Sequence, residues 1–125
     1  MKISEAARKV DVDAHVLRHW HEMRVVVPER TNAGHRDYSK DDIRRLRVVK
    51  ACQNVGMSLA EIQLILHRDE AGRTEVIERR LRWIRAQRDQ LTTAERFLEH
   101  VVDCTHDVLT RCPDCTAYSS SVGGS

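Results

Sequence analysis

The sequence predicts a mainly α fold in three parts: a winged helix-turn-helix head over residues 1–68, a linker and long dimerisation helix over 69–102, and a Cys-rich loop with a flexible tail over 103–125. Three observations predict it. Residues Thr74 to Val102 form an amphipathic run without Gly or Pro. Ahead of that run, two short helical patterns meet across a turn and lead into a β-branched, Pro- and Gly-punctuated segment. Behind it, Cys104, Cys112 and Cys115 lie within a dozen residues.

Composition bounds these parts. A chain of 125 residues, 41% hydrophobic and 4% aromatic, makes one small domain and an appendage, not a large enzyme pocket. No run of eighteen apolar residues exists, and MKISEAARKV lacks the apolar region of a signal peptide, so no membrane span and a cytoplasmic location are expected. In a reducing compartment, clustered cysteines serve metal or redox chemistry rather than a disulfide framework. Residues 1–56 hold twelve Lys or Arg against eight Asp or Glu, and the remainder is net acidic. That basic half is a candidate nucleic-acid footprint, although a mixed solvated surface has the same composition.

In order along the chain, Ser4 is placed to cap a first short helix ending near Val10, and Asp11 marks a break. Asp13 can cap a second helix, Ala14 to about Met23, in which Val16, Leu17 and Trp20 recur at helical spacing. This helix presents His15, Arg18, His19 and His21, all able to hydrogen-bond phosphates or base edges. His15 and His19 also have the i, i+4 spacing of a zinc pair, without its usual acidic and third-ligand context. The segment VVVPERTNAGHRDY, residues 25–38, reads as a hairpin or wing. Arg30, His35, Arg36 and Tyr38 on it could meet backbone phosphates.

Ser39 caps a third helix, Lys40 to about Val55, which Gly56 ends. Ser58 and Glu61 form the capping box of a fourth helix running through Leu66. Cys52, isolated in the third helix, reads as core packing. In the long run, steps of four and three from Ile77 give Leu81, Ile84, Arg88, Leu91, Glu95, Leu98 and Val102, so six of eight seam positions are apolar. A helix of roughly 45 Å with so narrow a stripe wants a partner helix. Folding back on its own N-terminal half is the alternative.

The run Leu17-Arg18-His19-Trp20-His21-Glu22, then Pro28-Glu29-Arg30-Thr31-Asn32-Ala33-Gly34-His35-Arg36-Asp37-Tyr38, then Ile43, Leu46 and Gly56-Met57-Ser58-Leu59-Ala60-Glu61-Ile62, resembles the MerR family of transcription regulators. The resemblance implies a homodimer joined by an antiparallel coiled coil, with recognition helices in successive major grooves of a pseudo-palindromic promoter operator and wings beside them. It implies DNA contacts at Arg18, Trp20, Arg36 and Tyr38, to which the reading of residues adds His15 and His19; a core role is the alternative for Trp20. It also implies that loading the loop distorts the spacer of the double-stranded promoter so that RNA polymerase engages. Asp11 and Arg24 depart from the pattern, standing where many members carry Gly.

The loop carries the chemistry. Cys112 and Cys115 form a CxxC pair eight residues beyond Cys104, and thiolates suit Zn(II), Cu(I), Hg, Cd and Fe–S centres. Cys104, Cys112, Cys115 and His106 are the expected ligands. Family metal sensors often add a Cys from the partner's dimer helix; Glu70 stands at that position here, so Glu70 or His67 of a partner subunit is a further candidate. His100 reads as solvated or interfacial, with a ligand role as its alternative. Zn(II) or another thiophilic ion is expected, with a structural zinc, a SoxR-like Fe–S cluster and a thiol redox switch as alternatives. In a different class, CPDC is similar to the motif of thiol-disulfide oxidoreductases, but there it usually opens a helix in a βαβ setting. No enzymatic role is expected.

Overall fold

The computed structural model describes residues 1–105 and 112–122. Its elements are α1 (Ile3–Val10), α2 (Ala14–Glu22), β1 (Glu29–Arg30), β2 (Arg36–Asp37), α3 (Lys40–Asn54), α4 (Leu59–Leu66), α5 (Arg73–Asp103) and α6 (Pro113–Val122). They form two compact units, Met1–Ile77 and Glu78–Ser125. No described helix is long and apolar enough to cross a membrane.

In the first unit, Leu17, Trp20, Val25, Val26, Tyr38, Leu46, Val49 and Ile62 are almost fully buried, and Cys52 packs against them. Two helix starts have the reciprocal side-chain cap. Ser39 Oγ accepts from the Asp42 amide at 3.0 Å while Asp42 accepts from the Ser39 amide at 2.9 Å, and Ser58 and Glu61 repeat the arrangement. The other two starts differ from expectation. Helix α1 begins two residues earlier than a Ser4 cap requires, with Lys2 at the cap position. The chain before it is extended, the Tyr38 amide donating to the Met1 carbonyl at 2.8 Å, which brings Ile3 into the first turn. Asp13 holds the cap position of α2 without a side-chain bond.

Three helices end in the same two-bond closure. After α1, the amides of Asp11 and Val12 donate to Arg8 and Ala7; after α2, those of Arg24 and Val25 to His21 and Trp20; after α3, those of Gly56 and Met57 to Gln53 and Cys52. Each closure needs a left-handed residue, and the φ values are 55° at Asp11, 57° at Arg24 and 86° at Gly56. The departures at Asp11 and Arg24 therefore leave the chain path intact and load it with backbone strain, more at Arg24 because Asp tolerates the left-handed region better than a long side chain does. Lys50 Nζ also satisfies the Val10 and Asp11 carbonyls, at 2.9 and 3.1 Å.

The wing is a two-stranded antiparallel hairpin pairing Glu29 with Asp37 and Arg30 with Arg36, turned by Gly34 at φ 83°. Arg73, at the start of α5, closes the other end of this unit by donating to the Leu64 and Ile65 carbonyls at 2.9 Å each.

In the second unit, no residue of α5 is buried, and Leu91, Leu98 and Val102 on its seam are 69%, 60% and 83% exposed. The segment after Cys115 differs from the flexible tail expected of it. It forms α6, and Tyr118 stacks on Phe97 of α5 with ring centroids 4.2 Å apart and planes 9° from parallel. Tertiary contact overrides the weak helix propensity of its Ser-rich sequence.

Candidate functional site

The head offers a groove between the start of α1, helix α2 and the wing, lined by Lys2, Ser4, Arg18, Arg30, His35 and Arg36. His15, Arg18 and His19 are exposed on α2. Two expected contact residues are not on the surface: Trp20 is 2% exposed and Tyr38 1%, because their large apolar rings complete the core beneath α2 and the wing. The Tyr38 hydroxyl is buried with no hydrogen-bond partner among the described residues, and burial raises its pKa. Arg36 is half-buried, its Nε donating to His21 Nδ1 at 2.8 Å. Burial and then the neighbouring Arg36, Arg30 and Arg24 lower the pKa of His21 below 6.5, with Glu22 opposing. The position of Lys2 in the groove and the pairing of His21 were missed in the sequence, where neither carries a spacing signal.

At the other end, His100, Cys104, Cys112 and Cys115 converge, with one donor atom from each lying within 4.8 Å of all the others. His100 comes from α5, Cys104 follows the end of that helix, and Cys112 and Cys115 flank the first turn of α6. His100 Nε2 lies 3.1 Å from Cys112 Sγ, and its other nitrogen is 3.9 Å from Asp114 Oδ2. His100 thus joins the thiols instead of standing solvated. His106, expected as the fourth ligand, lies outside the described residues. His67 and Glu70 belong to the first unit, where His67 Nε2 is 3.2 Å from the Arg24 carbonyl.

Cys112 and Cys115 are 2% and 3% exposed, yet they differ electrostatically. The Cys115 backbone amide, aided by His100, Cys104 and the Asp114 amide, lowers the Cys112 pKa to about 6 against the effect of burial. Burial, then the neighbouring Cys112 and Cys104, raises Cys115 to about 11. CPDC does open a helix, contrary to expectation, but the described residues of this unit contain no strand and hence no βαβ setting.

A metal bound through thiolates at about 2.3 Å in a tetrahedron needs donors about 3.8 Å apart. The donors here lie between 3.1 Å, for His100 Nε2 and Cys112 Sγ, and at most 4.8 Å apart, so shifts of about an ångström or less reach that spacing, and three soft sulfurs with one imidazole suit Zn(II) and other thiophilic ions. The residues fit such an ion.

A winged helix-turn-helix with a cationic groove, followed by a long exposed helix, defines a helix-turn-helix transcriptional regulator. Comparison with known proteins specifies the family. The model of MerR HTH family regulatory proteins matches residues 1–69, and that described as "MerR, DNA binding" matches 43–101. The mercuric resistance operon regulatory protein of Bacillus cereus is 30% identical over 90% of this chain and 86% of its own. The HTH-type transcriptional regulator HmrR of Rhizobium leguminosarum bv. viciae is 28% identical over 92% of each. HiNmlR, a MerR family regulator solved bound to promoter DNA, superposes with a TM-score of 0.65 at 21% identity, over 81% of this chain and 86% of that one. The chain belongs to the MerR family of helix-turn-helix transcriptional regulators, and none of the matched families is enzymatic.

Proposed function

We propose that the chain is a homodimeric, metal-responsive regulator that binds promoter DNA through its head and a thiophilic ion, zinc foremost, through His100, Cys104, Cys112 and Cys115. The observation that carries the reading is the convergence of these four donors within one chain. The set is complete without Glu70 or His67 of a partner subunit. Asp114 beside the second nitrogen of His100 supports it further, since a carboxylate there orients the ring and leaves Nε2 to face the ion. A relative named for mercuric resistance agrees with soft-metal chemistry.

On the DNA side, α2 enters the major groove with His15, Arg18 and His19 outward, and Arg36 reaches the backbone from the wing. Trp20 and Tyr38 act beneath them as supports. The exposed α5 seam pairs with that of a second copy in an antiparallel coiled coil. When bound, the ion supplies Lewis-acid cross-linking of α5 to α6. The chain's own residues then hold two dimer states of different metal affinity, which is what regulation of RNA polymerase engagement at a distorted promoter requires.

Metal content, absorption spectrum and thiol count of protein purified anaerobically test the reading, followed by promoter binding and transcription in vitro with and without chelator. The expected result is close to one zinc per chain, no visible absorption and chelator-sensitive transcription. Iron and sulfide with visible absorption would move the Fe–S reading to first place, and metal-free protein that takes up no added zinc would remove the metal role.

A further inference from the structure

We propose that His21 is the positioning residue that aims Arg36 at a DNA phosphate, and that it makes this contact dependent on pH. The inference rests on the reading of the head as a DNA-binding surface. His21, Glu22, Arg24, Arg30 and Arg36 line a separate hollow on the head. Three guanidiniums from three places, the end of α2, β1 and β2, therefore face one imidazole, and Glu22 on His21's own helix is the acidic group beside them.

The chemistry follows from which nitrogen is engaged. Arg36 Nε donates to His21 Nδ1 at 2.8 Å, so the imidazole is an acceptor and must be neutral, with its proton on Nε2. Holding the guanidinium by Nε fixes its plane and leaves both terminal nitrogens for phosphate oxygens. A neutral acceptor also leaves the full positive charge of Arg36 for the ligand, whereas a carboxylate in its place would cancel it. Arg30 is tied separately, its Nη1 donating to the Gly34 carbonyl at 2.8 Å, so the wing holds two oriented guanidiniums. Protonated His21 has no lone pair at Nδ1; it releases Arg36 and repels it.

The sign of the pH dependence follows. Burial and the three arginines keep His21 neutral below its ordinary pKa of 6.5. The oriented form is present above that pKa and is lost as pH falls through the lowered value.

The test measures affinity of the full, metal-loaded chain for a mixed-sequence duplex of about 40 base pairs at fixed salt, since phosphate contacts are independent of sequence. At pH 8, His21→Phe weakens binding about two- to ten-fold, the loss expected for one hydrogen bond, while His21→Gln, which keeps an acceptor, stays within about twofold of wild type. Arg36→Ala loses at least as much as His21→Phe, and the double variant no more than Arg36→Ala. From pH 8 to 5 the affinity of wild type relative to His21→Gln falls, since the two proteins differ at this one side chain and every other pH effect is common to both. If His21→Phe fails to fold, this ratio alone decides. Wild-type affinity for His21→Phe beside an impaired Arg36→Ala, additive losses, or a flat or rising ratio would each overturn the role of His21. Wild-type affinity for Arg36→Ala would instead overturn the reading of Arg36 as a contact.

Discussion

The two ends of the molecule bury different things. In the first unit a continuous set of apolar side chains, centred on Leu17, Trp20, Leu46 and Ile62, is closed from water. In the second, α5 contributes no buried residue, and the buried side chains among the described residues are the thiols of Cys112 and Cys115. Hydrophobic burial is non-directional and needs no ligand, so the head's core does not depend on metal or thiol redox state. A cluster of thiols carries little such burial, and on the metal reading proposed above its stability follows metal and redox state. One chain thereby joins a constant part to a conditional one.

Breaking the conditional end should have the largest effect. Structural zinc contributes about 10–16 kcal/mol in small sites. Chelation, or Cys112→Ser with Cys115→Ser, should therefore release α6, seen as loss of hydrogen-exchange protection over residues 113–122, while the melting of the head stays put. Protection that persists without metal would mean that the Phe97–Tyr118 stack holds the unit by itself. Next, Leu17→Ala or Leu46→Ala, each at fully buried positions, should cost about 2–5 kcal/mol in urea unfolding of the head without changing metal stoichiometry. A smaller effect of opposite sign is expected at the α2 closure. Arg24→Gly relieves a left-handed non-glycine residue and should stabilise the head by about 1 kcal/mol. Smallest is Leu91→Ala, which should change head stability by no more than about 0.5 kcal/mol yet weaken self-association in sedimentation. A large loss of head stability there would contradict the separation of the two ends.

Much of the head was legible because its signals are local. Period-3.6 apolar spacing marked α2 and α3, Ser58 with Glu61 announced the start of α4, and Pro28 and Asn32-Ala33-Gly34 outlined the wing. The start of α1 was misplaced because extended pairing with Tyr38, thirty-odd residues away, decides it. The thiol end was legible in its cysteines but not in its fourth donor. A signal existed, since His100 precedes Cys104 by one helical turn and so shares its side of α5. Helix α6 had no such signal, because its Ser-rich composition is a poor helix former and its contact with Phe97 through Tyr118 is not local in sequence.

The position of the two buried thiols at the start of α6 has a kinetic consequence. A ten-residue helix is shorter than the roughly 12–15 residues an isolated helix needs, because its first turn is the costly step. Cys112 and Cys115 bracket that first turn, with Pro113 pre-set at its opening position and the Thr116 amide donating to the Cys112 carbonyl at 3.0 Å. On the metal reading proposed above, ligation of both sulfurs would supply the nucleus from which the remaining residues propagate. Order in α6 would then spread from Pro113 towards its C-terminal end and fraying run the opposite way, so a probe near Ser121 should lose its signal before one near Cys115.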